Sequence, residues 1–505
     1  MVQALSEPPI LSRHLRHRSR RLEAGESANW LPHLRGGLEG RLVLPDEDAY
    51  DACRALFDQR FDPRPKAIAL CKSEHDVRLC LAAAQHNRVA FRVRGGGHSF
   101  AGYSACDGLI IDVAGLDRVS IDRRAMAATV GGGCQQGKLK PLLDDAGLFV
   151  PIGDWSEVGI GGFMQGGGFG PTSRTFGMNC DHVEAVRVML ADGRVVVATE
   201  RVNHDLWWAV RGGTGGNFGV VLDMTYRLLP AQAFAVESIG FSLAPAKREQ
   251  GIAALLAYQA GFMLTGAPDT LNSSAVIMQA CDPAAESPWL VIEAVHVGAE
   301  AEMIAALQPL LSLPGAVPGF DPRKLLPPGP MPPFSRSSRL IGRAVTADEW
   351  RALLAFMDTS PNRQTQLFLK AHGGAINRYG RERSAFIHRD AHCNMFMDVF
   401  WPTPADRAPA EAFRDLWRAH VAPLWNGGIY QNFPEADAPD YRWNYWGPAY
   451  PALAAVKSKY DLTGAFDFPQ AIERGNMAAV TQLPTVARAL ASAIVVETEE
   501  SCYSR

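Results

Sequence analysis

A run of three glycines followed by a histidine carries the most chemical information in this sequence. The run spans Arg94 to Ser99 and directly follows the apolar stretch 89–93, which predicts a strand. Three adjacent residues without a Cβ let backbone N–H groups close on an anion such as a pyrophosphate. His98, in the same loop, would then stand beside whatever that phosphate carries. The pattern predicts a phosphate-binding loop that also presents an imidazole.

A second glycine cluster occupies residues 158–170 and also follows an apolar run. A single Gly-Gly-Gly is more often an ordinary flexible turn, but two such clusters favour a binding site. Neither is a Rossmann fingerprint, because His98 interrupts the first and the second lacks both the spacing and a downstream acidic residue. No G-x-x-x-x-G-K-[ST] loop is present, so nucleotide triphosphate hydrolysis lacks its usual anchor. The pair of clusters predicts a long dinucleotide held along its length.

The composition is that of an ordinary globular protein. With 505 residues we expect two or three domains with substantial cores. The formal net charge of −3 gives no attraction toward nucleic acid or an acidic membrane. The basic run 13–21 is the exception; it predicts a solvated N-terminal tail, with a nucleic-acid arm as the less favoured alternative. We therefore expect no nucleic-acid partner.

The cysteines and the apolar segments exclude several other classes. The nine cysteines are scattered, odd in number and form no C-x-x-C pair, which argues against a zinc knuckle and a disulfide framework. No apolar h-region follows the basic run, and no stretch is long enough to span a bilayer. From these observations we expect a cytoplasmic protein with no metal and no membrane contact.

Strand-like and helix-like segments alternate between residues 65 and 230. Strands are predicted at 67–70, 109–113, 127–130 and 186–190, a helix at 73–84 with Ser73 as its N-cap, and a hairpin turn at 191–194. From 231 to 424 the glycine density falls, with a strand at 289–293 and a helix at 299–311. The segment 313–334 contains eight prolines, so we expect no regular structure there. It is interpreted as a stiff surface loop, with a lid over a site as the alternative.

Together with a Tyr-x-Asn element at 430–432, these motifs resemble those of berberine-bridge-enzyme-like flavoproteins of the vanillyl-alcohol-oxidase superfamily. The resemblance runs from about Asp62 to Ile472. It rests on separated motifs in the same order, at 94–103, 158–170, 205–213, 216–221, 430–432 and 456–461.

The resemblance implies an α+β fold. It implies a two-part FAD-binding domain and a substrate domain built on a large antiparallel sheet flanked by helices. The expected boundaries are an N-terminal lead-in at 1–60, the FAD-binding domain at 61–230, the substrate-binding domain at 231–424, a C-terminal segment returning to the FAD domain at 425–475, and a tail at 476–505.

The resemblance also implies FAD, covalently linked through His98 to the 8α position of the flavin ring. An imidazole nitrogen is a competent nucleophile toward such a carbon when the loop holds it close. The implied cofactor contacts come from both glycine clusters, the 216–221 motif and the Tyr-x-Asn element. They are Arg94, Gly95, Gly96, Gly97, His98, Ser99, Trp155, Val158, Gly161, Gly162, Gly166, Val221, Tyr430 and Asn432.

Many members of the family carry a second covalent link through a cysteine, and here that position holds Trp155. Tryptophan has no thiolate and cannot form a thioether. The nearby Cys180 is interpreted as a buried structural thiol. We therefore expect a single tether through His98, as in the bacterial hydroxynicotine oxidases that this stretch also resembles.

Tyr430 is the candidate general base, because the family's Tyr-x-Asn tyrosine faces the flavin from the substrate side. A free phenol titrates near pH 10, so it needs a cationic or hydrogen-bonding neighbour. His372 is the candidate neighbour, although a structural histidine is the favoured alternative. Asn432 would fix the flavin edge or orient Tyr430. Val158 aligns with a position that leaves room for oxygen at the flavin, unless it simply fills a strand end.

The resemblance favours an FAD-dependent oxidase. Such an enzyme takes a hydride from a C–OH or C–N centre of a small or medium organic substrate and passes the electrons to oxygen, releasing hydrogen peroxide. A flavin dehydrogenase with another acceptor is one alternative. A ligand-sequestering resistance protein with residual redox activity is another, which the intact His98, Tyr430 and Asn432 disfavour. Sugars, aromatics and secondary metabolites all stay open as substrates, because the substrate-building region 231–424 carries no motif.

Overall fold

The computed structural model describes residues 30–263, 266–329 and 331–475. The basic run 13–21 and the expected tail 476–505 lie outside the described residues. Within these limits the chain forms four β-sheets.

The first sheet carries the glycine-histidine loop. Its elements are α1 (Trp30–Gly37), β1 (Arg41–Val43), α2 (Tyr50–Arg54), β2 (Ala67–Leu70), α3 (Glu74–His86), β3 (Phe91–Arg94) and β4 (Leu109–Asp112). The strand order is β1-β2-β4-β3, with β2, β3 and β4 parallel and β1 antiparallel. Ser73 caps α3 as predicted, since its side chain accepts a hydrogen bond from the Asp76 N–H. The loop 95–99 leaves the carboxyl end of β3.

The second sheet carries the second glycine cluster. Its region contains β5 (Val119–Asp122), β6 (Ala127–Gly131), α4 (Gln136–Ala146), β7 (Leu148–Phe149), α5 (Ile160–Gln165), α6 (Ser173–Phe176), β8 (Val183–Met189), β9 (Val195–Thr199), α7 (His204–Val210), β10 (Val220–Arg227) and β11 (Leu229–Pro230). The antiparallel order is β5-β6-β10-β8-β9, and β7 pairs with β11 as a separate ribbon. The predicted hairpin at 191–194 is confirmed, because β8 and β9 pair on either side of it.

The third region is a large antiparallel sheet with helices. It contains β12 (Phe234–Ser242), α8 (Arg248–Phe262), β13 (Leu271–Met278), β14 (Trp289–Val297), α9 (Glu300–Leu311), β15 (Val317–Pro318), β16 (Phe334–Ile341), α10 (Ala347–Met357), β17 (Gln366–Ala371), α11 (Gly374–Arg378), β18 (Cys393–Phe400) and α12 (Arg407–Val421). The seven strands follow the order β15-β12-β14-β13-β17-β18-β16. The last helices in the described residues are α13 (Tyr441–Trp446) and α14 (Tyr450–Tyr460).

The two faces of this sheet have different partners because side chains alternate along each strand. In β17, Leu367 and Leu369 join the core formed with the helices, which includes Trp350 of α10 and Trp417 of α12. The intervening residues of β17 face the opposite way, toward a large cavity. The sheet therefore offers one fully packed face and one face for a ligand.

The proline-rich segment 313–334 corrects one expectation, because it is not devoid of regular structure. It contains β15 and a 3-10 helix at Pro322–Leu325. Pro322 occupies the first position of that helix, where its missing N–H and fixed φ cost nothing. Pro318 pairs at the outer edge of the sheet, where a strand tolerates proline.

The C-terminal segment packs against the glycine-rich half of the chain. The Lys457 ammonium of α14 donates to the carbonyl oxygen of Asn217 at 2.6 Å. The Tyr460 hydroxyl donates to the Asp205 carboxylate at 2.9 Å. The fold class expected from the sequence, α+β with a large antiparallel sheet flanked by helices, is confirmed.

Candidate active site

A cavity of about 860 Å³ lies between the two glycine clusters and the open face of the seven-stranded sheet. Most of the residues that the sequence predicts for the site line this cavity: Gly95, Gly96, Gly97, His98, Ser99, Trp155, Val158, Gly161, Gly162, Val221, Tyr430 and Asn432. The cavity wall formed by the described residues does not include Arg94, Gly166 or His372. The structure thus brings together both glycine clusters, the histidine and the Tyr-x-Asn element.

The two glycine clusters touch each other backbone to backbone. A Cβ on Gly96 would lie 2.4 Å from the nitrogen of Gly159, and a Cβ on Gly159 would lie 2.6 Å from the nitrogen of Gly96. A Cβ on Gly161 would lie 2.4 Å from the carbonyl oxygen of Gly132. At Gly162 a Cβ would meet no described atom within 4 Å. The glycines therefore serve close backbone packing at some positions and leave the cavity open at others.

Arg94 and Gly166 do not line the cavity, but each supports a part of its wall. Arg94 Nη2 lies 2.6 Å from Asp112 Oδ2, and both side chains are buried. These residues are register partners on β3 and β4, so the ion pair fixes the point where the histidine loop begins. A Cβ on Gly166 would lie 2.0 Å from Oδ1 of Asn432, so this glycine makes room for the Asn432 amide.

The imidazole of His98 is partly buried and stacks on the ring of Phe57. The ring centroids are 4.3 Å apart and the planes are 18° from parallel. Burial lowers the pKa of His98 below its usual value, although the nearby Glu157 carboxylate opposes this. The ring is therefore neutral at pH 7, which leaves one nitrogen lone pair free for nucleophilic attack.

Trp155 stands at the position where no second covalent link to the cofactor is expected. Its ring packs edge-on against Phe57 at 5.3 Å and lines the cavity. Cys180 is fully buried, and burial raises the pKa of its thiol. A buried thiol with a raised pKa is a structural group and not a reactive one.

The hydroxyl oxygen of Tyr430 accepts two hydrogen bonds. The backbone N–H of Phe169 donates at 2.8 Å and Asn432 Nδ2 donates at 3.0 Å. Burial raises the pKa of Tyr430 to about 12, and these two donors pull it in the opposite direction. Asn432 Nδ2 also donates to the Phe163 carbonyl oxygen at 2.8 Å, which fixes the orientation of the amide because a carbonyl only accepts.

His372 lies outside the cavity wall formed by the described residues. It is buried, its ring stacks on Phe169 at 5.2 Å, and its backbone N–H donates to His392. Burial, with a smaller contribution from the charge of Arg389, lowers the pKa of His372 to about 3. A neutral ring cannot be the cationic neighbour that was considered for Tyr430. The Phe169 N–H and Asn432 Nδ2 hold the Tyr430 hydroxyl instead, and the backbone of Gly168 acts on its pKa in the same direction.

The sheet side of the cavity carries a charged pair surrounded by aromatic rings. Arg336 Nε and Nη2 donate to the two carboxylate oxygens of Asp398 at 2.7 and 2.6 Å. The guanidinium lies 4.4 to 4.7 Å from the ring centroids of Phe100, Phe396 and Phe433. This pair connects the strand wall to the loops that follow His98 and Asn432.

A second ion pair and several amides complete this wall. Lys370 pairs with Asp154 and joins the sheet to the segment just before the second glycine cluster. The amide side chains on the same wall include Gln279, Gln364, Gln366 and Asn394. The wall thus combines apolar rings with hydrogen-bonding groups, which suits an organic ligand with several polar substituents.

Several cavity-lining polar atoms are buried and have no hydrogen-bond partner among the described residues. They are Tyr103 Oη, Ser104 Oγ, Gln136 Nε2 and Gln431 Oε1. Buried polar groups without partners are rare, so a ligand with many donors and acceptors is expected here. The polar groups of FAD fit this requirement, and the glycine contacts leave the backbone room that a dinucleotide needs.

Some of these residues were not predicted from the sequence. Tyr103 belongs to the first motif and Gln431 is the middle residue of Tyr-x-Asn, so both carried a signal that was not used. Gln136, Ser104 and Phe57 lie in no motif, and only the three-dimensional structure places them at the site. No group of three or more metal-ligating side chains occurs among the described residues. Likewise, no helix in the described part of the chain is both long and apolar enough to cross a membrane.

Two protein-family models match parts of this chain, and relatives match over most of it. The family described as FAD binding domain matches residues 65–199, and the family described as berberine and berberine like matches residues 429–473. An uncharacterized FAD-linked oxidoreductase of Bacillus subtilis, YgaK, is 27% identical over 445 residues, which cover 86% of this chain and 97% of the relative. The aclacinomycin-N/aclacinomycin-A oxidase of Streptomyces galilaeus is 27% identical over 470 residues, with coverages of 81% and 85%.

The fold has a solved counterpart. The wild-type BBE-like 1 protein of Physcomitrella patens superposes with a TM-score of 0.78 at 24% identity, covering 88% of this chain and 99% of that chain. The fold and the site define an FAD-linked oxidoreductase. The chain carries both family domains and resembles the berberine-bridge-enzyme-like flavoproteins, so the resemblance found in the sequence is confirmed.

Proposed function

We propose that this protein is an oxidase that removes a hydride and a proton from a C–OH or C–N centre of a small or medium organic substrate. Bound FAD would supply the hydride acceptor, and dioxygen would take the two electrons and two protons to give hydrogen peroxide. In this proposal Tyr430 accepts the substrate proton, as a general base in hydrogen-bond reach of the ligand. The proposed substrate is a sugar, an aromatic compound or a secondary metabolite.

The observation that carries this proposal is the pair of donors on the Tyr430 hydroxyl. A phenol oxygen has two lone pairs, and here the Phe169 N–H and Asn432 Nδ2 use both. The proton of the hydroxyl is then the part left for a ligand in the cavity. When the phenol is deprotonated, the same two donors stabilise the phenolate without any rearrangement. The site is therefore preorganised for a tyrosinate that takes up a proton.

We further propose that FAD is attached by one covalent bond, through His98. The neutral, cavity-facing imidazole supports this assignment, and Trp155 supports the absence of a cysteinyl link. His98→Ala protein, precipitated with acid, is expected to lose all flavin into the supernatant. Flavin that stays with the precipitated variant would contradict the single tether.

The test of function is Tyr430→Phe in the purified flavoprotein, with substrates found by screening for peroxide release. The variant should keep its flavin spectrum, while anaerobic flavin reduction slows by about 10²- to 10⁴-fold because the base is gone. Unchanged reduction would discard Tyr430 as the base. Rapid flavin reduction without peroxide in air, but with turnover of an artificial dye, would identify a dehydrogenase instead.

A further inference from the structure

A short segment before the FAD-binding match lies directly against His98. Phe57 belongs to the part of the chain assigned by sequence to the lead-in, yet its ring is the one that stacks on the His98 imidazole. The same ring makes edge contacts with Trp155, Phe100 and Phe334 at 5.3 to 6.1 Å. Phe57 is therefore at the centre of an aromatic cluster around the imidazole.

The backbone of this segment also holds the histidine loop. The Phe57 N–H donates to the carbonyl oxygen of Gly97 at 3.2 Å. Gly97 has a φ of +72°, so the loop turns sharply just before His98. A Cβ on Gly97 would lie 3.7 Å from the side chain of Leu56. The segment thus contacts the loop at the residue that precedes the histidine.

Arg60 holds the loop on the C-terminal side of His98. Its Nη2 donates to the carbonyl oxygen of Phe100 at 2.5 Å, and its Nη1 donates to Ser335 Oγ at 2.8 Å. The guanidinium is oriented by Asp58, whose buried carboxylate lies 2.6 Å from Nη2. Residues 56–60, which we call the clamp segment, therefore fix the loop two residues beyond His98 as well as one residue before it.

We propose that the clamp segment orients the His98 imidazole for covalent attachment of FAD, and that Phe57 is the positioning residue that acts through the ring stack. This inference rests on the proposed link through His98. Stacking against one face of the imidazole restricts its rotation and leaves the ring edge, with its nitrogens, uncovered by Phe57. The stack and the loop held by the Phe57 N–H therefore define the ring position. Bond formation depends steeply on such orientation.

Attachment of the flavin to His98 is an oxidation that releases two electrons, and dioxygen would be the oxidant that accepts them. A bond forms between an imidazole nitrogen and the 8α carbon of the flavin. That carbon would lose one hydrogen as a proton and the imidazole N–H would lose another, and the two electrons left on the flavin would pass with these two protons to dioxygen, giving hydrogen peroxide. The clamp segment takes no part in these bond changes. Its effect is on how often the nitrogen is aligned with the carbon.

The test uses Phe57→Leu, which keeps most of the side-chain volume but removes the flat ring, and Phe57→Tyr, which keeps the ring. Full-length proteins prepared without flavin are mixed with FAD. Non-covalent binding is followed by the visible spectrum, and covalent attachment by flavin fluorescence on a denaturing gel and by intact mass. We expect attachment in Phe57→Leu to be about 10- to 100-fold slower than in the parent protein, with FAD affinity unchanged and Phe57→Tyr close to the parent.

The matched control is Phe356→Leu. Phe356 stacks on Phe413 at 4.4 Å in the helical layer on the far side of the sheet, so this variant removes a stacked phenyl ring away from the cavity. It should attach FAD at the parental rate. Equal attachment rates in Phe57→Leu and the parent would overturn the inference, as would a parallel loss of non-covalent binding, which would make Phe57 a general cofactor contact. A parent protein with no flavin at His98 would overturn the proposed tether instead, a separate outcome.

Discussion

The side-chain amide of Asn432 donates a hydrogen bond of 3.0 Å to the hydroxyl of Tyr430, two residues earlier in the chain. The same nitrogen is anchored on the Phe163 carbonyl oxygen, and Gly166 makes room for the amide by lacking a Cβ. The second glycine cluster therefore sets the position of the group that holds the proposed base. The second glycine cluster and the Tyr-x-Asn element are built as one unit.

Asn432→Ala should slow flavin reduction because the phenolate loses one of its two donors. Removing one such donor from an anion site costs about 10²-fold in rate, and we expect a loss of about that size here. The measurement is single-turnover anaerobic reduction. If the two side chains act together, Tyr430→Phe/Asn432→Ala will be no slower than Tyr430→Phe alone. Additive losses would show that Asn432 acts elsewhere.

The pH dependence of flavin reduction should follow the Tyr430 phenol. Its pKa is raised to about 12, so only a small fraction is deprotonated at neutral pH, and that fraction grows as the pH rises. We expect the reduction rate to increase by up to about tenfold per pH unit between pH 7 and 10. In Tyr430→Phe the increase should disappear. A parental profile that is flat over this range would contradict the assignment.

Local signals in the sequence predict much of the fold. Ser73 caps the helix that the apolar spacing predicted, and the turn at 191–194 closes a hairpin. Both depend on residues close together in the chain. The proline-rich segment was predicted less well, because proline excludes interior strands and helices but fits the first turn of a 3-10 helix and a sheet edge.

The site could be predicted only where motif residues line it. The stacking of Phe57 on His98 joins residues 41 positions apart, and nothing in either local pattern specifies it. For His372 the sequence left two roles open, a neighbour of Tyr430 and the favoured structural histidine. Its buried ring stacks on Phe169 and is not part of the cavity wall formed by the described residues. These contacts depend on packing between residues far apart in the chain, which residue types and local spacing do not specify.

Gly96→Ala should destabilise the protein because the new methyl group meets backbone on two sides. It would lie 2.4 Å from the nitrogen of Gly159 and 2.8 Å from the carbonyl oxygen of Glu157, and neither can move without shifting the second glycine cluster. We expect a loss of about 1–3 kcal/mol in the free energy of unfolding. Gly162→Ala is the control, since its methyl group meets no described atom within 4 Å and alanine favours helix α5. Equal effects in urea denaturation would contradict the close approach.

Arg94→Met should lower the free energy of unfolding more than the double variant that removes both charges of the ion pair. The Arg94 and Asp112 side chains are 7% and 8% exposed, so the single variant leaves an unpaired carboxylate in the interior, at a cost of about 3–5 kcal/mol. In Arg94→Met/Asp112→Asn both charges are gone, while Oδ1 of residue 112 can still accept its hydrogen bond from the Ala114 N–H. The double variant should therefore unfold at a higher urea concentration than the single one. Because Arg94 lies behind the cavity wall, the double variant should also bind FAD with parental affinity; a large loss of affinity in a stable double variant would make Arg94 a direct cofactor ligand.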